Sequence, residues 1–127
     1  MRKKVWTVIL TTAILILLSV VEQISVGRLT DDALIRTQEL LSLLAQNEMK
    51  HGLEQAREMD AWWDEEAPKV ELIINHAATD DVRFTLSRLT AALEMGDRDD
   101  AFVYACELEG NIEHVLERQE LSWQNLL

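Results

Sequence analysis

The most apolar stretch lies near the start of the chain: residues 5–21 run VWTVILTTAILILLSVV without a charge. Seventeen residues rising about 1.5 Å each make a helix of roughly 26 Å, near the short end of what crosses the about 30 Å hydrocarbon core of a bilayer. Lys4 can snorkel and Trp6 suits the membrane interface, so both extend the reach of a span bounded by Val5 and Val21. Ile24 and Val26 carry the apolar pattern slightly further, and Gly27 is the expected break. A cleavable signal peptide is the rival reading. Its charged start fits, but the apolar run is long for one, Ser25 and Gly27 make a poor cleavage pair, and no cysteine offers a lipidation site. An uncleaved anchor is preferred.

Beyond Gly27 the hydrophobic period is helical, and no segment alternates as a strand does. Thr30-Asp31-Asp32 reads as an N-cap with acids for a first turn, followed by Leu34, Leu41, Leu44 and Ala45 with Leu40 and Leu43 beside them. The pattern pauses at Asn47. A second helix begins near Glu48 with Met49, Leu53, Ala56, Met59 and Trp63 on one stripe. Pro68 either opens a new helix or kinks a long one, with Val70, Ile73, Ile74 and Ala77 continuing an apolar face to about Ala78. Thr79-Asp80-Asp81 repeats the cap triplet ahead of Val82, Leu86, Leu89 and Leu93. Met95-Gly96-Asp97 reads as a helix stop and a new cap, and a last helix from about Asp99 to Gln119 turns Phe102, Ala105, Leu108, Ile112, Val115 and Leu116 inward.

A shift of 49 residues lays Thr30-Asp31-Asp32 on Thr79-Asp80-Asp81, Leu40 on Leu89, Leu44 on Leu93, Ala56 on Ala105 and Glu58 on Glu107. Asn47 then falls on Gly96, Leu53 on Phe102 and Met59 on Leu108. Two helical hairpins of one design are expected, each unable to bury its apolar face alone. The predicted fold is therefore all-α: residues 1–27 form a cytoplasmic tip and a single N-terminal transmembrane helix, and residues 28–127 form a four-helix domain of two similar hairpins.

Charge fixes the expected orientation. Arg2, Lys3 and Lys4 precede the run and no acid precedes Glu22, so all 23 acids face nine Lys or Arg in residues 22–127, a balance of −14. The basic triplet places the N-terminus in the cytoplasm and the acidic domain outside, at the cell membrane. So negative a domain repels phosphate backbones, and no nucleic acid is expected among its partners. The single cysteine, Cys106, excludes an intrachain disulfide and is expected as a buried free thiol, with an intermolecular bridge as the alternative.

Candidate chemistry is sparse. His51, His76 and His114 form no double-histidine motif. His76, with Asp80 four residues on, is expected as a buried or half-buried histidine bonding a neighbouring helix; a ligand or proton-linked switch is the functional alternative. His51 has Glu48 and Gln55 near it, and His114 has Glu117 and Arg118. Asp97-Arg98-Asp99-Asp100 hints at a calcium loop but lacks the required glycine, and Leu108 stands at the twelfth position. Glu65, Glu66 and Glu71 could pair as carboxylates, though without a cleft such groups are surface groups. No phosphate loop, serine motif or Cys-His pair occurs, so no enzyme, metal or cofactor is expected. Trp62 and Trp63 point about 100° apart on a helix, so Trp63 is expected in the core and Trp62 partly exposed, with a contact patch at Trp62 as the functional alternative. The tail carries Leu121, Trp123 and Leu126, apolar for a chain end, and either folds onto the bundle or docks on a partner.

Several short motifs follow the anchor: Trp63, Ile74-Asn75-His76, Leu-Glu-Met-Gly-Asp at 93–97, Ile112-Glu113-His114 and Leu-Ser-Trp-Gln-Asn-Leu at 121–126. In this the chain resembles, over nearly its whole length, a family of small bacterial membrane proteins of unknown function. Trp62 and Pro68 depart from that pattern. The resemblance implies a bacterial membrane location and a helical exterior domain, and no activity. The function expected is a membrane-anchored scaffold or interaction module that binds lipid through its first helix and an envelope protein or a second copy through its bundle. A cation- or pH-responsive envelope sensor is the alternative.

Overall fold

The computed structural model describes residues 1–71 and 76–126, with side chains through Arg118. Four helices and no strand occupy the described residues: α1 Arg2–Ala45, α2 Met49–Val70, α3 His76–Glu94 and α4 Arg98–Leu126. Each helix touches its two neighbours in the cycle α1-α2-α3-α4, so α1 and α3 sit on one diagonal and α2 and α4 on the other. Arg98 Nε donates to Leu44 O at 3.0 Å, which sets both hairpin turns at the same end of the bundle.

The bundle core begins at Val26 and runs up α1 through Leu29, Thr30, Ala33, Thr37, Leu40 and Leu44. Two expectations fail here. Gly27 does not interrupt α1, and Thr30-Asp31-Asp32 caps nothing. The chain enters this segment already helical, so the N–H groups a cap would satisfy have carbonyls four residues back. One helical glycine costs only about 1 kcal/mol against alanine, and the buried residues on either side outweigh that. Thr30 Oγ1 donates to Val26 O at 3.0 Å and Thr37 Oγ1 to Ala33 O at 2.7 Å, so both hydroxyls enter the core satisfied. The inner stripe is accordingly rotated from the predicted one: Leu34, Leu41 and Leu43 are only partly buried, and Ala45 is exposed.

Pro68 lies in the last turn of α2, which ends two residues later, so it neither opens a helix nor interrupts the middle of one. Of the apolar face predicted between α2 and α3, Val70 and Ala78 are buried at the flanks, while Ile73 and Ile74 fall outside the described residues. Thr79 sits inside the first turn of α3 rather than capping it; its hydroxyl is shared between Glu71 Oε1 and His76 O, each at 3.0 Å. Asp97 does cap α4, accepting from the Asp100 N–H at 3.1 Å. On α4 the inner stripe is Ala101, Ala105, Leu108, Ile112 and Val115. Phe102 stays 40% exposed and Cys106 is exposed, against expectation, because the small Ala101 and Ala105 take the inward positions next to them.

The 49-residue repeat holds in detail. Asn47 (φ 61°) and Gly96 (φ 73°) are the two described residues with positive φ. Glu48 N–H bonds Leu43 O and Asp97 N–H bonds Ala92 O, both at 2.9 Å, while Asn47 N–H to Leu44 O and Gly96 N–H to Leu93 O are both 3.1 Å. Each turn thus ends its helix with the same pair of reversed hydrogen bonds around a left-handed residue. The paired positions 29/78, 30/79, 33/82, 37/86, 40/89, 44/93, 52/101, 56/105, 59/108 and 63/112 are all buried, and no buried residue in 28–69 falls on an exposed one in 77–118. One hairpin design, used twice, encloses the core.

Candidate functional site

Three groups of side chains stand apart from the repeating core. The first is the exposed start of α1. An 18-residue window there averages a hydropathy of 2.2, none of it buried, in a helix long and apolar enough to cross a membrane. Lys4, Val5, Trp6 and Val21 are all exposed. Thr7, Thr11 and Thr12 donate their hydroxyls to Lys3 O, Thr7 O and Val8 O at 2.7–2.8 Å, so these three hydroxyls need no water to satisfy them.

The second is an ion-pair cluster where α2 meets α3. Arg83 reaches Asp64 at 3.1 Å, Asp80 at 2.9 Å and Glu71 at 3.6 Å. Although burial lowers the Arg83 guanidinium's affinity for its proton, the hydrogen bond to Asp64 and the charges of Glu71, Asp64 and Asp80 outweigh it and push its pKa up. Burial pushes the nearby Asp60 carboxyl up, and Asp64 adds to this while Arg83 opposes it. His76 is exposed rather than buried, and its Nδ1 lies 3.6 Å from Glu71 Oε2. The expected partner, Asp80, is instead held by Arg83. His51 and His114 also sit at the surface, beside Glu48 and Glu117 at 3.7 Å. Among the described residues no group of His, Cys, Asp and Glu has the geometry to hold a metal ion.

The third is a groove of about 400 Å³ between α1 and α2, at the end of the bundle from which the apolar helix projects. Arg28 and Asp32 line it from α1, and Trp62, Glu66 and Lys69 from α2. Trp63 is fully buried and its Nε1 donates to Thr79 O at 3.3 Å; Trp62 is half-buried, as expected for the outer member of the pair. Arg36 stacks over the Trp62 ring at 4.5 Å and holds it as a wall of the groove. The repeat mates of Arg36 and Trp62 are Thr85 and Asn111, and there Asn111 Nδ2 donates to Thr85 Oγ1 at 2.6 Å. The same point in the two hairpins is closed by a stacked cation in one and by a hydrogen bond in the other. The side chains of Leu121, Trp123 and Leu126 lie outside the described residues.

A family model described as a domain of unknown function (DUF4363) matches residues 21–126. The chain belongs to that family. The match starts at Val21, where the apolar run ends, and takes in both hairpins. No curated protein and no solved structure matches the chain.

Sequence reading had placed Trp62, Trp63 and His76 in one class of candidate residue. In the fold, Trp63 is core, Trp62 belongs to the α1–α2 groove, and His76 belongs to the α2–α3 ion cluster. Arg28, Lys69 and Arg83 had drawn no attention. The signal that could have found Arg28 is the repeat itself, since its paired position is Ala77; Lys69 pairs with another cation, Arg118, and the repeat does not mark it.

Proposed function

We propose that this member of the family is a non-catalytic, membrane-anchored interaction module of a bacterial envelope, with its N-terminus in the cytoplasm and its helical bundle outside. The observation that carries this reading is that α1 is one helix through two environments. Its first part leaves twelve large apolar side chains between Val5 and Val21 at 44–71% exposure, and from Val26 onward the same helix supplies the core of the bundle. At about 1.5–3 kcal/mol for each large side chain removed from water, a bilayer stabilises the first part by on the order of 20 kcal/mol. The anchor is therefore an extension of the bundle with no linker between them. The basic tip at Arg2, Lys3 and Lys4 supports the orientation. For the interaction role, Phe102 and Val103 on α4 stay 40% and 60% exposed beside a hollow of about 360 Å³ that Arg98 and Asp99 also line. Such an apolar face suits another helix, from an envelope protein or a second copy.

Carbonate extraction of membranes, followed by protease treatment of intact spheroplasts, tests the proposal. The chain should stay in the pellet at high pH, and its bundle should be digested without lysis. Release by carbonate, or protection of the bundle until lysis, would contradict it. A pH-responsive sensor is a second reading, favoured by the approach of His76 to Glu71 beside Arg83. It predicts that His76→Gln alters the stability of the bundle, read by thermal melting.

A further inference from the structure

The groove between α1 and α2 has a composition that the bundle does not require. It holds two cations, Arg28 and Lys69, and two carboxylates, Asp32 and Glu66, against the indole of Trp62. The rest of the exterior is strongly acidic, so a site of balanced charge stands out. The second hairpin preserves the core positions but only part of the groove: Ala77 replaces Arg28, Asn111 replaces Trp62 and Val115 replaces Glu66, while Asp81 and Arg118 keep the charges of Asp32 and Lys69. The repeat therefore does not require Arg28, Trp62 or Glu66, and these three set the groove apart in one hairpin.

Its height above the apolar run selects a ligand. Ser25 lines the groove four residues past Val21 and Arg28 lies seven past it, which places them about 6 and 10 Å above the end of the run along a helix. The polar headgroup layer extends about 5–8 Å beyond the hydrocarbon on each side. Arginine and lysine stems can reach down into that layer while their charged ends remain hydrated. We infer that the groove holds the headgroup of a zwitterionic phospholipid, its phosphate between Arg28 and Lys69 and its ammonium beside Glu66, the carboxylate next to Lys69. An anionic headgroup without an amine would meet Glu66 with no positive charge of its own to offset it. Lys69 Nζ lies 3.1 Å from Glu66 Oε1, an exposed pair that a phosphate and an ammonium can separate at little cost. The inference rests on the anchored reading, because only a chain that crosses the bilayer sets the groove at headgroup depth.

Native mass spectrometry of the full chain released from dodecyl maltoside micelles tests it, with phosphatidylethanolamine, phosphatidylglycerol and inorganic phosphate offered separately. One phosphatidylethanolamine should be retained per chain, about tenfold or more tighter than phosphatidylglycerol, and phosphate alone should not be retained. The double variant R28Q/K69Q should lose retention by about tenfold or more, the scale of one charged hydrogen bond. The variant E66Q should keep lipid but lose the preference between the two headgroups. Equal retention of the two lipids by the natural chain, unchanged retention by R28Q/K69Q, or phosphate bound as well as lipid would each overturn the assignment. Carbonate extraction separates the two readings: a chain that stays in the membrane but retains no lipid refutes the groove alone, and a chain that carbonate releases refutes the anchor.

Discussion

Among the described residues Trp63 is the largest fully buried side chain, and it ties α2 to the first turn of α3 through its indole N–H. Trp63→Ala should cost about 3–5 kcal/mol of bundle stability, read by urea unfolding in detergent. Trp62→Ala, which loses a half-exposed ring and the Arg36 stack, should cost about 1 kcal/mol or less. Equal losses at the two positions would contradict this division of the pair. Asp60 gives a pH test. Its carboxyl titrates above the ordinary aspartate value, mainly through burial and then through Asp64. The folded state therefore binds this proton more tightly than the unfolded one. Its contribution to stability is present below the ordinary aspartate pKa and lost as pH rises through the raised value. Asp60→Asn should therefore stabilise the bundle at pH 7, by no more than about 1 kcal/mol given its partial exposure, and the gain should vanish below about pH 4. Denaturant midpoints at pH 7 and pH 3.5 check both halves.

At the scale of helices, the all-α class, the second helix start, the cap at Asp97 and the matched turns at Asn47 and Gly96 were legible in the sequence, because each depends on contacts within a few residues. Buried Thr30 and Thr37 were not, since a threonine that bonds the carbonyl four residues back occupies a core position much as valine does, and a polar letter hides it. Phe102 and Cys106 misled in the opposite way: hydrophobicity ranks them above Ala101, but helix packing at close range favours the smaller side chain inside. The α1–α2 groove carried no motif, because it joins residues 25–32 to residues 62–70 and its charges cancel. The His76–Glu71 pair spans the connection between two helices, so no helical spacing could announce it. The repeat itself supplies a test. A Cβ on Gly52 would meet Leu44 Cδ2 at 3.4 Å and Leu93 Cδ2 at 3.7 Å, ordinary contact distances, and the paired residue in the second hairpin is Ala101. Gly52→Ala should therefore raise the stability of the bundle by about 0.5–1 kcal/mol, read by thermal melting. A loss would mean that the two hairpins are not equivalent where α1 approaches α2.

For the molecule as a whole, charge and hydropathy divide along one helix. The apolar run follows three cations and precedes a region with a balance of −14, and no break separates anchor from bundle. In the proposed anchored arrangement, motion of the bundle relative to the bilayer is limited to tilt of α1, which would hold the α1–α2 groove at the membrane surface and leave the Phe102–Val103 face of α4 near the far end. Cys106, the single cysteine, lies exposed on α4 and is a built-in reporter of sidedness. Labelling of spheroplasts with a membrane-impermeant maleimide is the most direct measurement. The anchored account predicts that Cys106 reacts in intact spheroplasts as fully as after lysis; reaction only after lysis would contradict it.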